Sequence, residues 1–152
     1  PEQADLRITC RTAQQPRQAL LHPKALVAGI GCNRNTPAAE ISAALRTACA
    51  ENGLAFQSIS RLASIDLKQN EPGLLAVAEQ HGWPIHFYPA EQLNRIEDVT
   101  SSAAVLHATG AKAVAEPAAI LSSGGGSLLV RKQKSTNVTV AIAELASFLL
   151  PR

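Results

Sequence analysis

Leu26-Val27-Ala28-Gly29-Ile30 is an unbroken apolar run that ends at Gly31-Cys32-Asn33-Arg34-Asn35 and gives way to a helical spacing of apolar residues. A run of this kind, without polar alternation, predicts a strand covered on both faces. Thr36 then supplies an N-cap and Pro37 a first helical residue. Ile41, Ala44, Leu45, Ala48 and Cys49 form one stripe of a helix that ends near Gly53. The unit recurs: Ile59 to Ile65 reads as a strand, Asp66 to Asn70 as a polar loop, and Glu71-Pro72 opens a helix that runs to Gly82. A third strand, Ile85 to Tyr88, precedes a short helix from Pro89 to about Arg95. Three strand-to-helix passages in succession predict parallel strands with right-handed crossovers.

The remainder of the chain changes pattern. Ser101 to Thr109 and Pro117 to Ser123 read as helices, the second stopped by Gly124-Gly125-Gly126. Leu128 to Lys132 and Asn137 to Ile142 read as two strands joined by a tight polar turn at Ser135-Thr136, hence antiparallel to each other. Ala143 to Leu150 suits a closing helix. Residues 1–24 are polar, rich in Gln and Arg, and show only a short strand pattern around Leu6 to Cys10, so they read as an N-terminal extension to a domain over 25–152. The fold class expected is α/β, a single domain with a mixed, mainly parallel central sheet.

Composition narrows the function. A chain of 152 residues, 46% hydrophobic, is long enough for one sizeable core. Fourteen basic residues against 12 acidic ones leave a formal charge of +2, and only five aromatics are present. Such a balance provides neither a field for nucleic acid or an anionic membrane nor a platform for stacked bases. Three cysteines, Cys10, Cys32 and Cys49, with no C-x-x-C pair and no apolar span, point to the cytoplasm.

In open α/β sheets ligands bind where strands give way to helix starts, and the candidate chemistry gathers there. Gly29 and Gly31 permit close backbone approach, the helix start at Thr36 offers free N–H groups, and Arg34 adds a bidentate cation. The third glycine of a dinucleotide fingerprint and the G-K-[ST] ending of a P-loop are both missing, so the loop suits a carboxylate or phosphate. It equally suits a tight turn with a solvated Arg34. Cys32 is either a thiol activated by the helix start and Arg34 or a small residue tucked beside the turn. Asp66, Lys68 and Glu71 share one loop, with Asp66 and Lys68 on one side if the strand extends that far. Glu116 precedes Pro117 at a helix start, where its charge is favourable in any case. Ser122 to Ser127 offers a glycine nest for an anion or a plain helix stop. Lys132 and Lys134 share a strand face as a cationic patch or as edge protection. His22, His81, His86 and His107 lack metal-ligand spacing; no metal and no cofactor is expected.

Taken in order, Gly29-Ile30-Gly31-Cys32 with Arg34 and Thr36, Leu62 to Lys68 with Glu71-Pro72-Gly73, Val114-Ala115-Glu116-Pro117, and Leu128 to Ala143 with Lys132 and Lys134 resemble the CobE/CbiG C-terminal domain family of cobalamin biosynthesis. That pattern usually has a basic residue and a glycine where this chain has Asn33 and Asn35, and a proline where it has Arg131. The resemblance implies a three-layer α/β/α domain that binds or acts on a precorrin or other corrinoid intermediate, with other enzymes of the pathway as further partners. The longer members are associated with opening a ring lactone and releasing a two-carbon aldehyde. The shorter form, found with the aerobic route, is the one this chain looks like. A carboxylate-fringed macrocycle needs cations around an open groove, and Arg34, Lys68, Lys132 and Lys134 are the candidates. Asp66 or Glu71 would act as general base if the chain is a hydrolase. A non-catalytic carrier needs only the cations and the groove, and a phosphate- or nucleotide-binding protein would rest on the first loop alone.

Overall fold

A computed structural model describes residues 6–8, 19–21 and 23–146. β1 (Leu6–Ile8) and β2 (Ala19–Leu21) pair in parallel as a two-stranded sheet; β1 falls within the expected short strand, and the rest of that expectation, with Cys10, lies outside the described residues. The main body is a five-stranded sheet in the order β5-β4-β3-β7-β6. Its strands are β3 (Leu26–Cys32), β4 (Ile59–Ile65), β5 (Ile85–Tyr88), β6 (Leu128–Lys134) and β7 (Val138–Glu144). β3, β4 and β5 are mutually parallel, and β7 runs antiparallel to both β3 and β6. Four strands therefore point one way and β7 alone is reversed.

Both faces are covered, as the apolar run of β3 requires. Leu26, Ala28 and Ile30 pack toward α1 (Ala38–Glu51) and α2 (Pro72–His81) through Ile41, Leu45, Leu74 and Val77. Val27 faces the other way with Ala63 and Ile65, against Leu93 of α3 (Ala90–Leu93), Val105 of α4 (Ala103–Thr109) and Val114 and Ala118 beside and on α5 (Ala115–Ser122). The result is the three-layer α/β/α domain. Gly29 lies on the α5 face, and a Cβ there would fall on the carbonyl of Ala115. That glycine lets a helix sit directly on the strand.

Several boundaries differ from the sequence reading for identifiable reasons. Pro37 keeps an extended conformation, with its carbonyl accepting from Glu40 and Ile41, so α1 starts at Ala38. The Thr36 hydroxyl, expected as its cap, instead donates to the Asn33 carbonyl at 2.7 Å and closes the loop. β4 stops at Ile65 and Asp66–Lys68 turns as a 3-10 helix, so the alternation that would have put Asp66 and Lys68 on one side does not apply. α5 begins two residues before Pro117, which is tolerated because its missing N–H belongs to an unpaired first turn. β7 continues to Glu144, held by β3 along one side and β6 along the other, so Ala143 is strand. The expected closing helix is displaced at its start, and its residues from 147 on lie outside the described ones. The glycine nest also fails: the N–H groups of Gly124, Gly125 and Gly126 donate to Leu121, Ile120 and the Ser123 hydroxyl. Arg61 donates to the Ser122 carbonyl there, completing a helix stop.

Candidate functional site

Because β3, β4, β5 and β6 point the same way, their C-terminal ends and the β6–β7 turn lie along one edge of the sheet. α1 and α2 start there, after β3 and β4. α5 starts toward it as well, since Ala115 sits against Gly29 and Val114 lies beside Gly31, while its C-terminal end meets Arg61, which pairs with Val27 further back along the strands. The first-turn N–H groups of a helix have no partner within it and favour negative charge.

On the α1–α2 side, the loops 33–36 and 66–73 meet directly. Glu71, only 7% exposed, accepts the Asn35 N–H on Oε2 at 2.6 Å, and its Oε1 lies 3.9 Å from Lys68 Nζ. A Cβ on Gly73 would fall on the Thr36 carbonyl, so α2 enters hard against the first loop. Asn35 has φ +66°, the left-handed conformation that favours glycine or asparagine. Asn33 donates from its side chain to Asn137 at 2.9 Å, and Asn137 in turn holds Glu40. Arg34, at the loop tip, is exposed and has no hydrogen bond or acidic partner among the described residues. Burial pushes the Cys32 thiol up, with Lys68 lowering it and Glu71 raising it less strongly. Cys32 is half-buried, and this burial favours the tucked-in small residue over the activated thiol.

On the α5 side, Gly31, Thr139 and Lys134 form a row across β3, β7 and β6. A Cβ on Gly31 would meet only the Thr139 and Val114 Cβ atoms, at 3.8 and 4.0 Å, so this glycine, unlike Gly29, leaves room. Glu116 is 1% exposed and accepts from Lys132 N–H at 2.7 Å, Thr100 N–H at 2.6 Å and the Thr100 hydroxyl at 3.2 Å. Burial pulls its pKa upward, but these hydrogen bonds, aided by Arg131, outweigh it and hold the carboxyl below the ordinary carboxylate value. Glu116 is thus enclosed rather than presented to a ligand. The side chains of Lys132 and Lys134 have no acidic partner among the described residues.

The edge accordingly gathers Arg34, Lys68 and Lys134 along with Asp66, whose carboxylate has no hydrogen bond or ion pair among the described residues; Lys132 stands two residues back along β6, level with the middle of β3. No hydrogen bond joins the α1–α2 group to the Lys132–Glu116 group. An open groove of about 670 Å³ lies beside them, between the outer face of α1 and the β6–β7 turn; Glu40 and Glu51 line it against one lysine, Lys134, which suits a carboxylate-rich ligand poorly. Asn137 and Thr139 were not legible as edge residues, since only the position of β7 beside β3 brings them there. No group of three metal-ligating side chains occurs among the described residues, and none of their helices is long and apolar enough to cross a membrane.

Known proteins agree with this architecture. The chain is 40% identical over 146 residues to the cobalt-precorrin-5A hydrolase of Priestia megaterium, covering 92% of this chain but 39% of that protein. It is 37% identical over 121 residues to protein CobE of a Sinorhizobium species, covering 78% of this chain and 79% of the relative. The crystal structure of CobE, a protein from the cobalamin (vitamin B12) biosynthetic pathway, superposes with a TM-score of 0.74 at 36% identity, over 80% of this chain and 90% of that one. Cobalamin biosynthesis protein chiG from Agrobacterium tumefaciens superposes with a TM-score of 0.62 at 28% identity, over 80% and 98%. Residues 26–143, from the first strand of the main sheet almost to the end of its last, match the family described as Cobalamin synthesis G C-terminus, and the chain belongs to that family.

Proposed function

We propose that the chain binds a carboxylate-fringed corrinoid intermediate of cobalamin biosynthesis at the C-terminal edge of its sheet. The observation that carries this reading is that Arg34 and Lys134 lie along that edge, with Lys132 two residues back along β6, and none of the three has an acidic partner among the described residues. Lys68 is only loosely paired, at 3.9 Å. Cations beside the sheet edge where α1 and α2 start match a ligand rimmed with carboxylates. Other enzymes of the pathway would then be the source and recipient of the ligand.

The test is a titration with cobyrinic acid, a corrinoid whose side chains are free carboxylates, alongside an amidated corrinoid, followed by absorbance. Saturable binding of the first and much weaker binding of the second is expected; no binding of either removes the reading. A second, hydrolytic reading is favoured by Asp66, whose unengaged carboxylate at the end of β4 suits a general base for water attacking a ring lactone. Incubation with the lactone-bearing intermediate and mass analysis separates the two: the addition of one water, alone or with departure of the two-carbon fragment as its aldehyde, supports hydrolysis, and an unchanged mass supports a carrier.

A further inference from the structure

The two glutamates at this edge are arranged alike. Each is buried, each stands at the start of a helix, and each accepts a main-chain N–H belonging to, or next to, a cation without an acidic partner. Glu71 takes the N–H of Asn35, the neighbour of Arg34. Glu116 takes the N–H of Lys132 itself. We propose that Glu71 and Glu116 are positioning residues that fix the main chain carrying Arg34 and Lys132, so that both cations are set in place before the ligand arrives. This rests on the reading of the edge as a carboxylate-binding rim.

In both places the main chain departs from regular geometry at the point the glutamate holds. Asn35 is left-handed without being glycine, a conformation that carries a cost and persists only where its surroundings enforce it. A charge-assisted hydrogen bond from a buried carboxylate provides that enforcement. Lys132 lies where the β6–β7 pairing shifts register, between Val130 and Gln133, so the regular ladder does not hold it. Glu116 supplies the missing acceptor and ties the same point to Thr100. A cation fixed in advance loses less freedom on binding, and affinity gains by that difference. The oxygens of Glu71 are directed to Asn35 and Lys68, which also explains why Asp66 is the better candidate for a base.

Double-mutant cycles separate positioning from general stabilisation. Cobyrinic acid affinity is measured for the intact chain, Glu71→Gln, Arg34→Ala and the pair, and again for Glu116→Gln, Lys132→Ala and their pair. Each glutamate substitution should weaken binding about five- to twentyfold alone, yet less than about twofold once the cation is gone. Effects that simply add in both cycles overturn the proposal. Should Glu116→Gln fail to fold, Glu116→Asp, which keeps the charge but withdraws the oxygens, takes its place. Amide hydrogen exchange without ligand supplies an independent reading: Glu71→Gln should speed exchange in residues 33–36 while leaving β3 protected. Unchanged exchange there counts against the proposal even where the ligand binds, whereas failure of the intact chain to bind removes the rim reading on which it rests.

Discussion

Arg34 is the single side chain whose loss should be felt most in binding and least in folding. It is exposed on a loop whose shape is fixed by Glu71, Thr36 and Asn137 rather than by Arg34 itself. Arg34→Ala should remove a charge-assisted hydrogen bond worth about 1.5–3 kcal/mol, about ten- to a hundredfold in affinity, as read by titration. Arg46→Ala should show the opposite profile, because its guanidinium lies 4.1 Å over the Phe56 ring, away from the edge; there a cation–π loss of about 0.5–1 kcal/mol should appear in urea denaturation with binding unchanged. The glycines divide similarly. Gly29→Ala should cost about 1–3 kcal/mol by overpacking against α5, whereas Gly31→Ala, with ordinary contact distances around it, should leave the melting temperature nearly unaltered. Reversed outcomes in thermal melts would mean that α5 does not rest on Gly29.

Elements owe their ties to a few buried polar groups. Glu116 joins α5 to β6 and to the segment before α4, and its folded pKa lies below the ordinary value of 4.5. The stabilisation it brings is therefore present above that value and is lost as pH falls through the folded one. Glu116→Gln should cost about 2–3 kcal/mol near neutrality, with the gap from the intact chain narrowing at pH 3; a gap that stays constant in urea denaturation at both pH values would exclude a titrating role. His81 titrates with the opposite charge change. It stacks on Trp83 at 4.5 Å, and burial first, then Arg46, lowers its pKa from 6.5. Protonation is thus disfavoured in the folded state, so stability should fall as pH drops below 6.5, and His81→Gln should flatten that slope. Trp83, the only tryptophan, reports it by fluorescence.

Across the whole molecule the net charge is small, so salt should barely move the unfolding midpoint yet weaken corrinoid binding, with a shallower salt dependence in Arg34→Ala. Titrations at two ionic strengths check this. The strand, loop and helix units were readable because β3, β4, α1 and α2 bury continuous or periodic apolar positions. That residues 31–36 and 66–73 share one edge followed from parallel strands. What could not be read was long-range: no periodicity tells that the β6–β7 hairpin docks on β3, which decides where Lys132, Lys134 and Asn137 lie. Nor does a glutamate before proline announce that it is buried; Glu71 read as a candidate base and Glu116 as a charge at a helix start until the amides facing them are seen. β7 is the last strand of the main sheet in sequence, yet it occupies the sheet's interior between β3 and β6. During synthesis the main-chain N–H and C=O groups along one edge of β3 must therefore stay unpaired until Val138 to Glu144 has left the ribosome. The domain cannot finish folding co-translationally in stages, and a chain terminated at Thr136 should collect in the insoluble fraction rather than persist as a smaller folded unit.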